Sequence, residues 1–199
     1  MNYKELKWPG VATITARTST IRSQFIRAII PHIKATDEEY RKCLEVLGQD
    51  PGSLTCSYCG IPATEWDHFR PIVKHKQPTG FVTDIYNLVP ACGKCNQSKS
   101  GADWNVWIRG NARHVPKNGA GQEQRIARLE AYDTWSLERT HRLDDSFLRS
   151  ADLLEYMASC ENLISSFAKY QEAALLMKET IAKAVESKRS EQEDDQGLN

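Results

Sequence analysis

The chain has 199 residues, of which 40% are hydrophobic and 26% are charged. These values exclude collagen-like and fully disordered chains, and they suit one ordinary domain or a small module with extensions. Acidic and basic residues balance to a formal net charge of zero, so a nucleic-acid role has to be argued from local clusters of charge.

The first residues, MNYKELKWPG, are polar and contain a proline. We therefore expect neither a signal peptide nor a membrane span here, and a cytoplasmic location follows.

Two helices are predicted within residues 1–53. Apolar residues recur at helical spacing from Ile21 to Ile30, and Pro31 ends the first helix. Thr36 precedes three acidic residues, which is typical of a helix N-cap, and Gly48 closes the second helix. Residues 1–53 are interpreted as a helical extension.

Residues 121–188 are predicted to be a mostly helical C-terminal region, because proline is absent after Gly121 and glycine does not recur before Gly197. The segment 189–199 is acidic and lacks apolar periodicity, and we expect it to be disordered.

Two series of apolar residues repeat every seven positions in the last predicted helix, the pattern of a coiled-coil seam. The series are Leu153, Cys160, Phe167, Ala174 and Ile181, and Tyr156, Leu163, Tyr170, Met177 and Ala184. A seam of roughly 48 Å, at 1.5 Å per residue, is longer than a small module could cover. The pattern therefore predicts a homodimer, with a seam inside one chain as the alternative.

Four of the six cysteines form two Cys-x-x-Cys pairs, Cys56 with Cys59 and Cys92 with Cys95. In a reducing compartment this pattern favours a metal site over disulfides. Each pair can present both sulfurs to one tetrahedral zinc ion, and four thiolates leave no open position. The predicted zinc is thus structural, and four independent cysteines are the alternative.

The residues between the pairs, within the predicted central module 54–120, are the candidates for chemistry. They include the run Glu65-Trp66-Asp67-His68-Phe69-Arg70-Pro71 and the step Asn87-Leu88, and Asn96 follows the second pair directly. This order resembles the HNH endonuclease family, in which an Asp-His pair, an Asn-Leu step and a final His or Asn occur in sequence. The resemblance spans residues 54–104, about a quarter of the chain. Asn96 stands where many members have His, so the chain resembles an HNN variant.

The resemblance implies an α+β fold of the ββα-metal type, with a two-stranded hairpin and a helix from about Asn96. It implies that His68, Asp67, Asn87 and Asn96 are the catalytic residues. Asn87 is expected to brace the loop that holds His68. The implied substrate is double-stranded DNA.

The residue types themselves suit phosphodiester hydrolysis. His68 has a side chain that titrates nearest neutrality and can act as a general base toward water. Neighbours on a strand point to opposite faces, so Asp67 can bind a metal while His68 approaches the phosphate. Asn96 can offer a second oxygen to the same cation, and such ligands suit Mg²⁺ or Mn²⁺.

Local charge also indicates an anionic substrate. From Asp67 to Lys117 there are eight basic residues against three aspartates. The basic residues are Arg70, Lys74, Lys76, Lys94, Lys99, Arg109, Arg113 and Lys117. For Lys99 a phosphate contact and a solvated side chain are both open. Trp104 and Trp107 are expected to pack the module's helix, with base stacking as the alternative.

The sequence thus predicts a metal-dependent endonuclease, and its size and expected two-fold assembly resemble small type II restriction enzymes. A phage or homing-type nicking enzyme is one alternative. A catalytically inert, zinc-stabilised DNA-binding module is another.

Overall fold

The structure is a computed structural model that describes residues 10, 12–112, 114–115 and 121–196, with side chains as far as Ser190. The helices are α1 (Thr18–Ile29), α2 (Asp37–Val46), α3 (Gly93–Lys99), α4 (Trp104–Ile108), α5 (Gln122–Leu137), α6 (Asp145–Leu148) and α7 (Ala151–Gln196). The strands are β1 (Glu65–His68), β2 (Val73–Lys74), β3 (Gln77–Pro78) and β4 (Leu88–Ala91). The predicted α+β class, with helices before and after a central module, is confirmed.

The described residues divide into two compact units. One unit runs from Ser23 to Leu154, and the other joins the residues up to Arg22 with those from Glu155 onward. The unit 23–154 thus holds α2 and α5 together with the four-cysteine region.

The centre of the unit 23–154 is a two-stranded antiparallel sheet followed by a helix. β1 pairs with β4, so that Asp67 lies opposite Val89 and His68 opposite Leu88. α3 begins directly after Cys92, which occupies its N-cap position. The predicted hairpin and helix are therefore confirmed, with the helix beginning at Gly93, before Asn96.

The predicted start of α2 is also confirmed. The Thr36 side chain accepts a hydrogen bond from the backbone N–H of Glu39, and the Glu39 side chain accepts one from the backbone N–H of Thr36. This reciprocal pair satisfies two of the free N–H groups at the helix N-terminus.

Aromatic side chains fill the core around this sheet. Phe69 stacks on Trp104 with ring centroids 5.1 Å apart, and Tyr58 meets the edge of Trp107 at 5.2 Å. Both tryptophans are buried, and Trp107 Nε1 donates to Ser98 Oγ. The packing interpretation of these two residues is therefore correct, and base stacking is excluded for buried rings.

α5 packs against the same core. The hydroxyl of Tyr132 lies 2.9 Å from the carbonyl oxygens of Ile85 and Leu88 and accepts a hydrogen bond from the N–H of Leu88. Arg70 donates to the backbone oxygen of Asp133 at 2.9 Å and forms an ion pair with its carboxylate. α5 therefore supports both β4 and the chain that follows β1.

The second unit contains most of α7 and a 3₁₀ turn, Ile14–Arg17. The Ile14 N–H donates to Gln171 Oε1 at 2.7 Å, and Arg22 pairs with Glu161 at 2.6 Å.

The predicted heptad seam changes in exposure along α7. Leu153 and Cys160 are buried, whereas Tyr170, Met177 and Ile181 are 61%, 60% and 56% exposed. The later part of the seam is thus uncovered in the single chain.

The helix α7 continues to Gln196, into the acidic segment for which disorder was predicted, and residues 197–199 lie outside the described residues. Of the described helices, none is both long enough and apolar enough to cross a membrane.

Candidate active site and four-cysteine cluster

The four paired cysteines come together in space. The Sγ atoms of Cys56, Cys59, Cys92 and Cys95 all lie within 4.8 Å of one another. Gly60 closes the turn of the first pair by donating its N–H to the Cys56 carbonyl at 2.8 Å. Its φ of +82° is a conformation that glycine adopts without strain. Four sulfurs in this arrangement fit a tetrahedral zinc ion.

The surroundings of Cys56 favour a thiolate. The side-chain hydrogen bond from Cys95 lowers the pKa of Cys56 to about 5, against burial, which raises it. Backbone hydrogen bonds from Cys92 and Cys59 lower it further. The thiolate is the form that binds metal.

Asp67 is buried on the face of β1 that meets α3. Its Oδ2 accepts a hydrogen bond from the Tyr58 hydroxyl at 2.7 Å and lies 3.0 Å from Lys99 Nζ. Burial raises the pKa of Asp67, while the charge of Lys99 and the bond from Tyr58 oppose this rise. Oδ1 accepts no hydrogen bond from the described residues, so this oxygen can serve a cation.

Lys99 has neither of the two roles left open from the sequence. Its side chain is 0% exposed, and its ammonium group donates to the carbonyl of His68 at 2.8 Å as well as pairing with Asp67. A buried ammonium cannot reach a substrate phosphate or bulk solvent. Lys99 instead ties the end of α3 to the backbone and side chains of β1.

His68 lies at the end of β1, and its side chain is partly exposed. Its Nε2 lies 2.8 Å from Thr83 Oγ1. Burial, followed by the charges of Arg27, Lys99 and His32, lowers the pKa of His68 to about 4, against the opposing effect of Asp84. The imidazole is therefore neutral at pH 7, the form that can accept a proton.

Asn87 is fully buried, and both the oxygen and the nitrogen of its side-chain amide form hydrogen bonds. Its Oδ1 accepts from the N–H of Arg70 at 2.8 Å, and its Nδ2 donates to the carbonyls of Arg70 and Val82 at 3.0 and 3.2 Å. These are the contacts that bracing the loop after His68 would require.

Asn96 lies on α3 and faces the same strand as Lys99 does. Its Nδ2 donates to Glu65 Oε1 at 2.9 Å, which leaves the amide oxygen as the free acceptor. Glu65 and Asp67 share one face of β1, and Asn96 and Lys99 share one face of α3. Asp67 and Asn96 therefore both lie at the interface between β1 and α3, and a carboxylate oxygen and an amide oxygen are ligand types that suit Mg²⁺ or Mn²⁺.

Three contacts of this site were not foreseen from the sequence: Tyr58 on Asp67, Thr83 on His68 and Glu65 on Asn96. The positions of Glu65 and Lys99 could have been predicted from sequence spacing. Glu65 is two residues before Asp67 on a strand, and Lys99 is three residues after Asn96 on a helix. Tyr58 and Thr83 approach through the tertiary fold, and sequence spacing contains no such signal.

The predicted basic face is smaller than the residue count indicated. Arg70, Lys99 and Arg109 are committed to ion pairs with Asp133, Asp67 and Glu130. Lys74, Lys76 and Lys94 are exposed, whereas Arg113 and Lys117 lie outside the described residues. Counting charges along the chain therefore overstated the cations available to a substrate.

Comparison with known proteins agrees with this geometry. Residues 56–101 match the family model described as HNH endonuclease. The chain is also similar to the CRISPR-associated endonuclease Cas9 of Corynebacterium diphtheriae, at 28% identity over 105 residues, which are 51% of this chain and 8% of that protein. No solved structure matches. The HNH domain predicted from the sequence is confirmed at residues 56–101.

The buried pair of Lys99 and Asp67 leads to a stability prediction. Lys99→Met leaves the Asp67 carboxylate buried without its cation, and we expect a loss of about 3–5 kcal/mol in the free energy of unfolding. Urea unfolding at pH 7 measures it. Lys94→Met, an exposed lysine on the same helix, should change stability by less than about 0.5 kcal/mol. Equal stabilities for the two variants would contradict the buried ion pair.

The cysteine cluster leads to a prediction about metal content. We expect one zinc ion per purified chain by elemental analysis, and we expect Cys95→Ser to lose it and to unfold residues around the cluster. Structural zinc contributes roughly 10 kcal/mol in small metal-dependent domains, about as much as a whole domain's stability.

Cys43→Ala is the control, because Cys43 is a buried cysteine outside the cluster. The Cys43→Ala variant should keep the zinc even where the loss of the buried side chain lowers the free energy of unfolding. A Cys95→Ser protein that is folded and free of metal would show that the cluster does not hold a structural ion.

Proposed function

We propose that this chain is a metal-dependent endonuclease that hydrolyses phosphodiester bonds in double-stranded DNA. The match of residues 56–101 to the HNH endonuclease family supports a nuclease. The observation that carries the proposal is the position of His68, partly exposed at the end of β1, the strand that carries Asp67 and contacts Asn96 through Glu65.

His68 acts as the general base through Nδ1 in this proposal. Thr83 Oγ1 occupies Nε2, and when the hydroxyl oxygen accepts the Nε2 proton, the lone pair of the imidazole lies on Nδ1. That nitrogen has no hydrogen-bond partner among the described residues. Nδ1 can therefore take a proton from an attacking water, while Thr83 fixes the ring and its tautomer.

Asp67 Oδ1 and the amide oxygen of Asn96 would hold Mg²⁺ or Mn²⁺. When bound, the cation supplies neutralisation of the charge that builds on the phosphate and the leaving oxygen. Lys99 and Tyr58 keep Oδ2 of Asp67 occupied, so the carboxylate presents one oxygen in a fixed direction. Glu65 orients the Asn96 amide in the same way.

The four-cysteine cluster would hold zinc in a structural role, since all its thiols are used as ligands. It connects the segment before β1 with the start of α3. Through these two elements the ion would keep Asn96 facing Glu65 and Asp67.

A first prediction tests the base. His68→Ala should reduce cleavage of supercoiled plasmid in Mg²⁺ by about 10²–10⁴-fold, the usual contribution of general acid–base catalysis, and should keep the far-UV spectrum of the wild type. A chelator should stop the wild-type reaction, and added Mg²⁺ or Mn²⁺ should restore it.

Thr83 offers a matched pair for the same assay. Thr83→Ser keeps the hydroxyl beside Nε2 and should retain most activity, whereas Thr83→Val removes it and should lower kcat more than it changes KM. Cleavage by His68→Ala at the wild-type rate would contradict His68 as the general base. Cleavage that a chelator does not slow would contradict the requirement for a divalent cation.

The biological form that we propose is a restriction-type enzyme acting as a homodimer. The exposed apolar residues of the later α7 seam support a second chain as its cover, and two-fold assembly pairs two active sites for cutting both strands of a palindrome. With unmethylated DNA, discrete fragments would agree with restriction. Relaxation of supercoiled plasmid without linear product would favour the nicking alternative.

The dimer leads to its own prediction. Met177→Glu places a carboxylate on the exposed seam, where it does not disturb the single chain, and burial in an interface would be costly. Light scattering should give twice 22.6 kDa for the wild type and one chain's mass for the variant. Ala182→Glu adds the same charge one position beyond the seam residue Ile181 and should stay dimeric. A wild type that is monomeric at micromolar concentration would contradict a dimer of the free protein and would restrict dimer formation to the DNA-bound state.

A further inference from the structure

The residue that holds His68 is itself held by a segment outside the matched HNH residues. The Thr83 N–H donates to the Pro31 carbonyl at 3.2 Å, and the Ile33 N–H donates to the Thr83 carbonyl at 2.8 Å. This parallel bridge sets His32 opposite Thr83. Because Thr83 Oγ1 lies 2.8 Å from His68 Nε2, the chain after α1 holds the residue that contacts the imidazole.

This segment brings cationic groups to the site. Arg27 is in the last turn of α1 and is exposed, and His32 is exposed as well. Neither side chain has a hydrogen bond or an ion pair with the described residues. The pairing sets His32 opposite Thr83, whose hydroxyl contacts His68, and Arg27 lies in the last turn of the helix that leads into this pairing.

Arg27 and His32 differ in this respect from three of the basic residues of the motif region. Arg70, Lys99 and Arg109 already have acidic partners, and a guanidinium engaged with a carboxylate cannot bind a phosphate with the same donors. A base acting on a phosphodiester requires cations that orient the DNA strand beside it. Arg27, in the last turn of the helix that leads into the segment paired with Thr83, has no hydrogen bond or ion pair with the described residues and has its donors free for that task.

We propose that Arg27 and His32 bind phosphate groups of the DNA strand that lies against His68, so that the N-terminal extension is part of the substrate-binding surface. This inference rests on the nuclease function proposed above. The planar guanidinium of Arg27 can bind phosphate oxygens bidentately. The ring N–H of His32 can donate one further hydrogen bond to the same strand.

The test is duplex binding and cleavage by the full-length, zinc-loaded protein. Affinity for a fluorescein-labelled 30-base-pair duplex is measured without Mg²⁺ at several NaCl concentrations, and KM and kcat are measured on plasmid DNA with Mg²⁺. Arg27→Gln should weaken binding about five- to tenfold and lower the slope of log affinity against log salt by about 1, because one phosphate contact is lost. KM should rise, with kcat changed less than about twofold.

Three further variants complete the design. Arg27→Lys keeps the charge and should keep the salt slope. His32→Gln should weaken binding with a smaller change of slope, because it removes a donor without removing a permanent charge. Arg41→Gln removes an exposed arginine of α2 outside this segment and should leave affinity and slope unchanged.

The outcomes separate this inference from the proposed function. One outcome would overturn this inference and leave the proposed function standing. In that outcome the wild type cleaves DNA, and Arg27→Gln and His32→Gln have the same affinity and the same salt slope as the wild type. Equal losses in Arg27→Gln and Arg41→Gln would do the same, because they would indicate general charge attraction. A wild type that neither binds nor cuts the duplex would overturn both proposals.

Discussion

The buried contact of Lys99 with Asp67 is the constraint on which the candidate site depends. An ammonium group without solvent exposure is stable only with partners of opposite charge and with its donors satisfied, and here it meets Asp67 Oδ2 and the carbonyl of His68. One side chain of α3 thereby fixes the side chain of one site residue and the backbone of the next. Because Oδ2 is occupied, Oδ1 is the carboxylate oxygen that remains without a partner among the described residues. The position of Asn96, one helical turn before Lys99, follows from the same docking of α3 on β1.

Most of the site could be predicted from the sequence because its residues lie in short motifs. The paired cysteines, the Asp67-His68 step and the antiparallel hairpin need only local spacing and alternation. Thr83 and Tyr58 could not be predicted, since each meets its partner through a tertiary contact: Thr83 is fifteen residues from His68, and Tyr58 enters from the cysteine turn. The long-range contacts of α5 were missed for the same reason, because helical periodicity shows that a helix has an apolar face and does not show what covers it.

Fewer basic residues of the motif region are available to a substrate than their number along the chain indicates. A count of lysines and arginines along the chain treats each as available, but Arg70 forms its ion pair with Asp133, a residue of α5 far along the sequence. Lys99 has its partner within the motif and is withdrawn from solvent altogether. Exposure and pairing, which decide whether a cation can meet a phosphate, are properties of the folded chain. By these criteria Arg27, outside the basic stretch, is better placed than several residues inside it.

The flanking helices also explain how so short a motif can hold its geometry. The buried core around the matched residues is completed by residues outside them, among them Leu47, Trp104 and Tyr132, and small modules depend on metals or on neighbouring elements for stability. Here Tyr132 of α5 bonds to the backbone before and within β4, and the chain after α1 pairs with Thr83. His68 is therefore held by two parts of the fold. Lys99 of α3 donates to its backbone carbonyl, and Thr83, which pairs with the N-terminal extension, contacts its ring. A change in either support would move the imidazole without touching it, so the orientation of His68 is a property of the whole unit from Ser23 to Leu154.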